Sequence, residues 1–310
     1  MINILFAATT DRWECYEAPL HEALGGLKLD YVLATDLPPA EVDYIIYAPN
    51  SQVQDFTPYS RLKAVMNLWA GVEDVVNNPT LQVPLARMVD KEGLTQGMVE
   101  WVTGHVLRHH LGMDAHICNP KREWRPVAPP LAPARPVTIL GLGTLGQACA
   151  HALTSLGFPV RAWSRSAKDL PDITCHHGEE GLGEALRDAQ IVILLLPDTA
   201  ATRGIIAARE LALVAPGAVL LNPGRGTLVD DDAVIAALDQ GRLSHATLDT
   251  FRIEPLPSDH PFWEHPKITV TPHIASETRP ESAARVIANN IARSRAGLPL
   301  DHLVDRSAGY

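Results

Sequence analysis

Three residues with complementary chemistry follow apolar segments in the last third of the chain: Arg225, Glu254 and His273. A guanidinium group binds a planar carboxylate through two charge-assisted hydrogen bonds, which a lysine cannot reproduce. An imidazole exchanges protons near neutral pH, and an adjacent carboxylate favours its charged form and fixes the orientation of the ring. The three residues therefore predict a site that binds a small acid and transfers a proton to it or from it.

A glycine-rich turn lies upstream in the segment VTILGLGTLGQA, where Gly141, Gly143 and Gly146 form a G-x-G-x-x-G pattern between a predicted strand and a predicted helix. The first glycine permits a tight turn, the second lets the backbone approach a pyrophosphate, and the third lets helix and strand pack closely. In this context residues 141–146, Thr144 and Leu145 included, are predicted to bind a dinucleotide at the helix N-terminus. A nicotinamide hydride combined with the three charged residues predicts reduction of a 2-oxo acid to a 2-hydroxy acid, or the reverse reaction.

The residues after the next strand, VRAWSRS, predict which dinucleotide is bound. A site specific for NAD carries Asp or Glu about 20 residues after the glycine motif, where the carboxylate binds the ribose hydroxyls. Here Ser164 and Arg165 occupy that place. Serine can hydrogen-bond a 2′-phosphate and arginine can pair with it, so the sequence predicts a preference for NADPH, with NADH possible. In the alternative interpretation Arg165 stacks on adenine or points to solvent.

Composition excludes several classes of protein. The 310 residues are 46% hydrophobic, enough for two domains that each have a core. The net charge of −10, without a basic run, argues against a nucleic-acid partner. The first residues lack the features of a signal peptide, and no apolar stretch reaches the ~18 residues that span a bilayer. We therefore expect a cytoplasmic protein without membrane association.

The cysteine and histidine patterns predict neither disulfides nor a metal site. No C-x-x-C pair occurs. His109–His110 lie on a predicted helix, where adjacent residues do not share a face, and His176–His177 lie in a predicted polar loop. The scattered cysteines are Cys15, Cys118, Cys149 and Cys175.

Short apolar runs alternate with helical segments along both halves of the chain, which is typical of parallel sheets covered on both faces. We expect an α/β fold with two doubly wound parallel-sheet domains and a cleft between them. Residues 1–100 plus 276–310 would form a flavodoxin-like substrate-binding domain, and residues 101–275 a Rossmann dinucleotide-binding domain. A long helix is predicted over residues 94–115, and the chain would cross between the two domains near Met98–His105 and again near His273–Thr278.

These segments resemble the D-isomer-specific 2-hydroxyacid dehydrogenases over nearly the whole chain. GLGTLG, LLLPDTAATRGII, LLNPGRGTLVDDDAVIAAL, LDTFRIEPLP and VTPHIAS occur in the family's order and approximate spacing. Within the family the chain is most similar to the glyoxylate/hydroxypyruvate reductase A group, through NLWAGVEDV, GMVEWV, AWSRS, TPHIASETRP and the ending VDRSAGY. Gly224, where the family often has alanine, is a departure from its pattern.

The resemblance implies a role for each matching position. Arg225 would bind the carboxylate and keto oxygen of the substrate, and His273, paired with Glu254, would be the acid and base. Asp249 would contact the nicotinamide carboxamide, and Pro197 would line the cofactor site. The amides around Trp69, Ala70 and Gly71 would hold the substrate carboxylate. The family is usually homodimeric, so the resemblance also implies a homodimer.

Substrate choice is less constrained by the sequence. A large ring at Trp69 would favour small 2-oxo acids such as glyoxylate and hydroxypyruvate, with Trp101 and Trp124 capping the same space; each ring could equally be a packing residue. The alternatives are the same chemistry on phenylpyruvate or 2-ketogluconate, a nucleotide-sensing corepressor, or a structural NADP-binding protein without turnover.

Overall fold

The structure is a computed structural model that describes residues 1–306 and 309. Ser307, Ala308 and Tyr310, from the VDRSAGY ending, lie outside the described residues. The chain forms two compact units, Met1–Leu94 with Glu277–Tyr310, and Thr95–Ser276. Each unit is built on a parallel sheet, so the predicted α/β class with two parallel-sheet domains is confirmed.

The first unit contains a five-stranded sheet of order β2-β1-β3-β4-β5, in which all neighbouring strands are parallel. This is the flavodoxin-like order. β3 and β4 are buried along their whole length, as expected of central strands covered on both faces. The strands are β1 (Ile2–Ala7), β2 (Tyr31–Ala34), β3 (Tyr44–Tyr47), β4 (Ala64–Asn67) and β5 (Leu85–Ala86).

Two long helices of the first unit pack against each other: α1 (Thr10–Gly25) and α8 (Pro280–Arg295). The buried face of α8 includes Ala284, Ile287 and Ile291, which recur at helical spacing. A 3₁₀ turn spans Pro39–Glu41. Because α8 packs against α1, the C-terminal helix and the N-terminal segment belong to the same unit.

The second unit contains a seven-stranded sheet of order β12-β11-β10-β9-β6-β7-β8, again parallel throughout. Counted within the unit this is 7-6-5-4-1-2-3, the Rossmann arrangement, and the strand order reverses between β6 and β9. The strands are β6 (Val137–Leu140), β7 (Val160–Ser164), β8 (Ile173–His177), β9 (Ile191–Leu194), β10 (Ala218–Asn222), β11 (Leu243–Leu248) and β12 (Ile268–Val270).

The helices of the second unit cover both faces of this sheet, and buried apolar clusters lie on either side of it. Asp230 caps α7 by accepting a hydrogen bond from the Ala233 amide at 2.9 Å. The helices are α2 (Gln96–His110), α3 (Asp114–Ile117), α4 (Thr144–Ser155), α5 (Gly178–Leu186), α6 (Ala208–Leu211) and α7 (Asp231–Asp239). Shorter turns are the π-helical Lys91–Thr95 before α2 and the 3₁₀ turns Ala132–Ala134, Gly226–Leu228 and Pro261–Trp263.

Two local predictions were wrong. The helix predicted over residues 94–115 ends at His110, because Gly112 adopts a φ of +62° and turns the chain before α3. The polar loop predicted around His176 and His177 is instead β8. β8 is the edge strand of its sheet and is partly exposed, so its polar residues hide the usual apolar signal of a strand.

Candidate active site

The sheet of the second unit explains how three residues remote in sequence share one edge. β10, β11 and β12 are adjacent and parallel, so their carboxyl ends lie side by side. Arg225 follows β10, Glu254 follows β11 and His273 follows β12. In open parallel sheets this edge is where ligands bind.

Glu254 and His273 form a hydrogen-bonded pair. Nδ1 of His273 lies 2.7 Å from Oε2 of Glu254, while Oε1 of Glu254 accepts a hydrogen bond from the Phe251 amide at 2.9 Å. Burial raises the pKa of Glu254, but the hydrogen bonds from His273 and Phe251 and the charges of His273 and Arg225 outweigh it, so this pKa lies below its ordinary value. The carboxylate is therefore ionised at neutral pH and available to hold a charged imidazole.

The backbone presents His273 in an unusual conformation. Its φ is +53°, in the left-handed region that costs a residue with a side chain on the order of 1 kcal/mol or more. The surrounding residues impose it, since the His273 amide donates to the Asp249 carbonyl at 2.8 Å. The Asp249 carboxylate, fully buried, accepts from the Thr271 hydroxyl at 2.5 Å and from the Ile274 and Ala275 amides at 3.0 and 2.9 Å. Asp249 thus holds the loop that carries His273.

Arg225 lies in a turn organised by the buried Asn222. The Asn222 amide nitrogen donates to the Arg225 carbonyl at 2.9 Å, and its amide oxygen accepts from the Gly224 amide at 3.2 Å. Nη1 of Arg225 donates to the Gly224 carbonyl at 2.7 Å. The charge of Arg225 is the smallest of the causes that lower the pKa of Glu254, so the guanidinium lies within electrostatic range of that carboxylate.

Sequence reasoning gave no structural role to the glycines on either side of Arg225, although it singled out Gly224 as a departure from the family pattern. A Cβ at Gly226 would lie 2.0 Å from the Phe251 carbonyl carbon, and one at Gly224 would lie 2.8 Å from the Leu194 carbonyl oxygen. Because backbone atoms cannot yield as a flexible side chain does, both positions require glycine here. The Gly226 contact brings the Arg225 turn against the loop that leads to Glu254. The G-R-G triplet could have indicated a tight turn, but the sequence does not show that the backbone of Leu194 and Phe251 lies against it.

The predicted dinucleotide turn has the geometry that a pyrophosphate requires. Gly141 has a φ of +112°, and a Cβ there would meet the Leu195 carbonyl oxygen at 2.5 Å. A Cβ at Gly146 would lie 1.8 Å from the Gly141 carbonyl oxygen, so α4 packs directly on the turn. Gly143 precedes α4, and the space its Cβ would occupy is open. Thr144 and Leu145 form the first turn of α4, so the cradle fits a bound phosphate.

The other predicted cofactor residues lie at the same edge of the sheet. Ser164 ends β7 and is buried, and its hydroxyl donates to the Ser166 carbonyl at 2.8 Å, whereas Arg165 is exposed. Pro197 follows β9, next to the point where the strand order reverses, and its carbonyl accepts from the Thr202 hydroxyl at 2.6 Å. Asp249 is already engaged with the His273 loop, and its predicted contact with nicotinamide stays a prediction.

Trp69, Ala70 and Gly71 belong to the first unit and follow β4. The Asn67 side-chain amide donates to the Trp69 and Gly71 carbonyls at 2.9 and 2.7 Å, which fixes the turn. Among residues 1–306 and 309, no hydrogen-bond acceptor contacts the amides of Ala70 and Gly71, so these donors suit an anion.

The predicted capping tryptophans have different environments. The ring of Trp101 contacts that of His105 in a tilted arrangement, with the ring centroids 4.3 Å apart. Trp124 is 93% exposed. Their role beside the substrate stays a prediction.

The fold and the site together define a dinucleotide-dependent dehydrogenase. The family model described as "D-isomer specific 2-hydroxyacid dehydrogenase, NAD binding domain" matches residues 105–275. The chain therefore belongs to the D-isomer specific 2-hydroxyacid dehydrogenase family, which confirms the resemblance seen in the sequence.

Individual relatives extend this similarity beyond the second unit. The chain is 42% identical to a glyoxylate/hydroxypyruvate reductase A of Serratia proteamaculans over 258 residues, covering 81% of this chain and 82% of the relative. A D-isomer specific 2-hydroxyacid dehydrogenase from Xanthobacter autotrophicus, solved in complex with NADPH and MES, is 37% identical, with a TM-score of 0.93 over 99% of both chains. An NADPH-dependent glyoxylate/hydroxypyruvate reductase from Sinorhizobium meliloti, solved with NADP and sulfate, is 33% identical, with a TM-score of 0.90 over 100% of both chains.

Within the described part of the chain, no helix has both the length and the apolar character needed to cross a membrane.

Proposed function

We propose that this protein reduces small 2-oxo acids, glyoxylate and hydroxypyruvate, to glycolate and D-glycerate with NADPH. The observation that carries the proposal is the 2.7 Å contact between His273 and Glu254 beside Arg225, at the carboxyl edge of a Rossmann sheet. The names of similar proteins, among them a glyoxylate/hydroxypyruvate reductase A and a structure with bound NADPH, support the same substrate class and cofactor.

The proposed mechanism assigns each charged group one task. Arg225 binds the substrate carboxylate with its planar guanidinium and polarises the keto oxygen. Because Nδ1 of His273 is bonded to Glu254, Nε2 is the nitrogen that donates a proton to the carbonyl oxygen as negative charge develops there. The turn at Gly141, Gly143 and Gly146 would hold a nicotinamide dinucleotide, which would supply the hydride for the carbonyl carbon. His273 is left neutral and regains its proton from solvent, and the Glu254 carboxylate stabilises the recharged ring.

The preference for NADPH is proposed from the residues that follow β7. Ser164 and Arg165 leave no carboxylate to repel a 2′-phosphate, and the exposed Arg165 offers a positive charge to pair with it. The pyrophosphate would be held by the turn formed by Gly141, Gly143 and Gly146 at the start of α4.

We assign dinucleotide binding to residues 101–275 and substrate binding to residues 1–100 plus 276–310. The second range contains the cradle of open amides at Ala70 and Gly71, which suits the substrate carboxylate. The match of the family's NAD binding domain model to residues 105–275 supports this assignment.

We also propose a cytoplasmic homodimer. The four cysteines are unpaired thiols, as expected in a reducing compartment. Residues 111–131 expose several large apolar side chains, which is unusual for a monomer surface. The most exposed are Ile117 at 73%, Trp124 at 93%, Val127 at 78% and Leu131 at 81%. Light scattering on a size-exclusion column should give twice the mass of the chain, and a double variant Trp124→Arg, Val127→Arg should elute as a monomer.

Steady-state kinetics with both cofactors and a panel of 2-oxo acids tests the function. We expect the highest kcat/KM for glyoxylate or hydroxypyruvate with NADPH. A higher kcat/KM for phenylpyruvate or 2-ketogluconate would change the proposed substrate but would leave the proposed reaction unchanged. Tight NADPH binding with no turnover on any acid would instead favour a nucleotide-sensing or purely structural role and would overturn the proposal.

A further inference from the structure

Three potential metal ligands from separate elements of the second unit lie together. His109 is near the end of α2, Asp114 is in the first turn of α3, and His245 is in β11. One ligand atom from each residue lies within 4.8 Å of the other two, and all three residues are partly buried. His109 and His245 are far apart in the sequence, so no motif of closely spaced ligands predicts this cluster.

The sheet geometry explains why the cluster forms on this face. Side chains alternate along a strand, so His245 and Thr247 project to one face of β11, while Ala246 and Leu248 belong to the apolar core on the other. His109 of α2 reaches the first face, since its Nε2 lies 2.9 Å from the Thr247 hydroxyl. The rings of His109 and His245 lie in tilted contact, with their centroids 4.7 Å apart and their planes at 41°.

Each imidazole has the outer hydrogen bond that orients a metal ligand. Nε2 of His109 contacts Thr247, and Nε2 of His245 contacts the Thr269 hydroxyl at 2.8 Å. Metal-bound histidines almost always use their second nitrogen in this way, which fixes the tautomer and the ring orientation. Such fixed rings on a helix and a strand are better placed to bind an ion than surface histidines on long loops.

We propose that His109, Asp114 and His245 bind a first-row divalent transition metal ion, with Zn²⁺ as the representative. Two imidazoles and one carboxylate are the donor set that this class of ion prefers, whereas Mg²⁺ and Ca²⁺ prefer oxygen ligands alone. Bonds of about 2.0–2.2 Å in a tetrahedral arrangement require ligand atoms roughly 3.3–3.6 Å apart, so small side-chain rotations would complete the site. Water would take the fourth position.

The guanidinium of Arg108 competes with the ion for the Asp114 carboxylate. Nε of Arg108 donates to Oδ1 of Asp114 at 2.7 Å, so a cation shares this carboxylate with a guanidinium. The second carboxylate oxygen can still coordinate, and the ion would be held mainly by the two imidazoles. Its role is to link α2, α3 and β11 within the second unit, and it takes no part in the proposed reduction.

Cobalt binding to the full-length, chelator-treated protein tests the site. Co²⁺ bound to mixed nitrogen and oxygen ligands gives visible d–d absorption, and competition with Zn²⁺ then gives the zinc affinity. We expect one ion per chain and a higher melting temperature with the ion present. His109→Gln and His245→Gln should each weaken binding by more than about 100-fold, beyond the loss typical of outer hydrogen bonds, and Asp114→Asn should weaken it by a smaller factor.

The double variant His176→Gln, His177→Gln is the matched control, because it removes an adjacent histidine pair on the exposed edge strand β8. It should bind Co²⁺ as the unmodified protein does. Circular dichroism establishes that each variant is folded, and the three single variants allow a decision even where one of them fails to fold. The absence of a bound ion, or binding lost in the control and kept in the three ligand variants, would overturn the proposal.

Discussion

Nδ1 of His273 lies 2.7 Å from Oε2 of Glu254, although the two residues are 19 positions apart in the chain. The pair is possible because β11 and β12 are neighbours in a parallel sheet, which brings the loops after both strands to the same edge. Because Nδ1 contacts Glu254, Nε2 of His273 is left to donate the proton. The proposed reaction depends on these different roles of the two ring nitrogens.

Replacing His273 tests the proton donor. His273→Ala should lower kcat by roughly 100- to 10,000-fold, the usual contribution of a positioned acid or base, because no other group delivers the proton. Fluorescence titration should show unchanged NADPH binding, since the glycine turn lies elsewhere in the unit. Near-normal turnover in the variant would show that another group donates the proton.

Removing the charge of Glu254 should change the pH dependence of reduction. The pKa of Glu254 lies below its ordinary value of 4.5, so the carboxylate is negative throughout the neutral range. Without that charge in Glu254→Gln, charged imidazole is less favoured, and kcat/KM for reduction should fall more at pH 8 than at pH 6. A variant profile parallel to that of the unmodified enzyme would mean that Glu254 only positions the ring.

The cofactor preference should depend on Arg165. In Arg165→Ala, kcat/KM with NADPH should fall by about 10- to 100-fold, which corresponds to the loss of one charge-assisted hydrogen bond of about 1.5–3 kcal/mol. The value with NADH should change little. Lys168→Ala is the matched control, since Lys168 is an exposed cation three residues away. An equal fall in kcat/KM with NADPH and with NADH would show that Arg165 does not bind the 2′-phosphate.

Trp69 is predicted to limit substrate size. Trp69→Ala should raise kcat/KM for phenylpyruvate relative to glyoxylate, because removal of the ring leaves space for a bulkier side chain. Trp263→Ala, at a half-exposed tryptophan, controls for a general effect of losing an indole. If the two variants give the same ratio of substrates, Trp69 does not act as a gate.

Asp43 should stabilise the first unit in a pH-dependent way. Its buried carboxylate contacts the Asn3 amide at 3.0 Å, Lys63 at 3.1 Å and Arg61 at 3.2 Å. Burial raises the pKa of Asp43, but these three partners outweigh it and hold the pKa below the ordinary 3.8. Asp43→Asn should lower the free energy of unfolding by about 1–3 kcal/mol near neutral pH.

The sign of this pH effect follows from the lowered pKa. The contribution of ionised Asp43 is complete above pH 3.8 and is lost as the pH falls through the lower folded-state value. The difference in urea midpoint between the unmodified protein and Asp43→Asn should therefore shrink in acid. Asp36→Asn, at an exposed position, should show no such difference. A constant difference down to the lowest pH would mean that the charge of Asp43 is not involved.

Local patterns predicted much of the site. Apolar runs predicted most central strands, and the placement of Arg225, Glu254 and His273 directly after such runs predicted their common edge. The glycine motif predicted its turn because φ at Gly141 and the close approach at Gly146 are requirements of single positions. Such requirements are visible in the residue types themselves.

The remainder depends on which strands become neighbours. The contact of Gly226 with Phe251 and the meeting of His109 with His245 join segments that no local pattern relates. The edge strand β8 also escaped prediction because its exposure removed the apolar signal. The sequence by itself determined the residue types, the turns and the strand segments, since these follow from side-chain chemistry and backbone sterics. Only the tertiary structure decided the pairings across the sheet, because strand order results from packing both faces of the whole sheet at once.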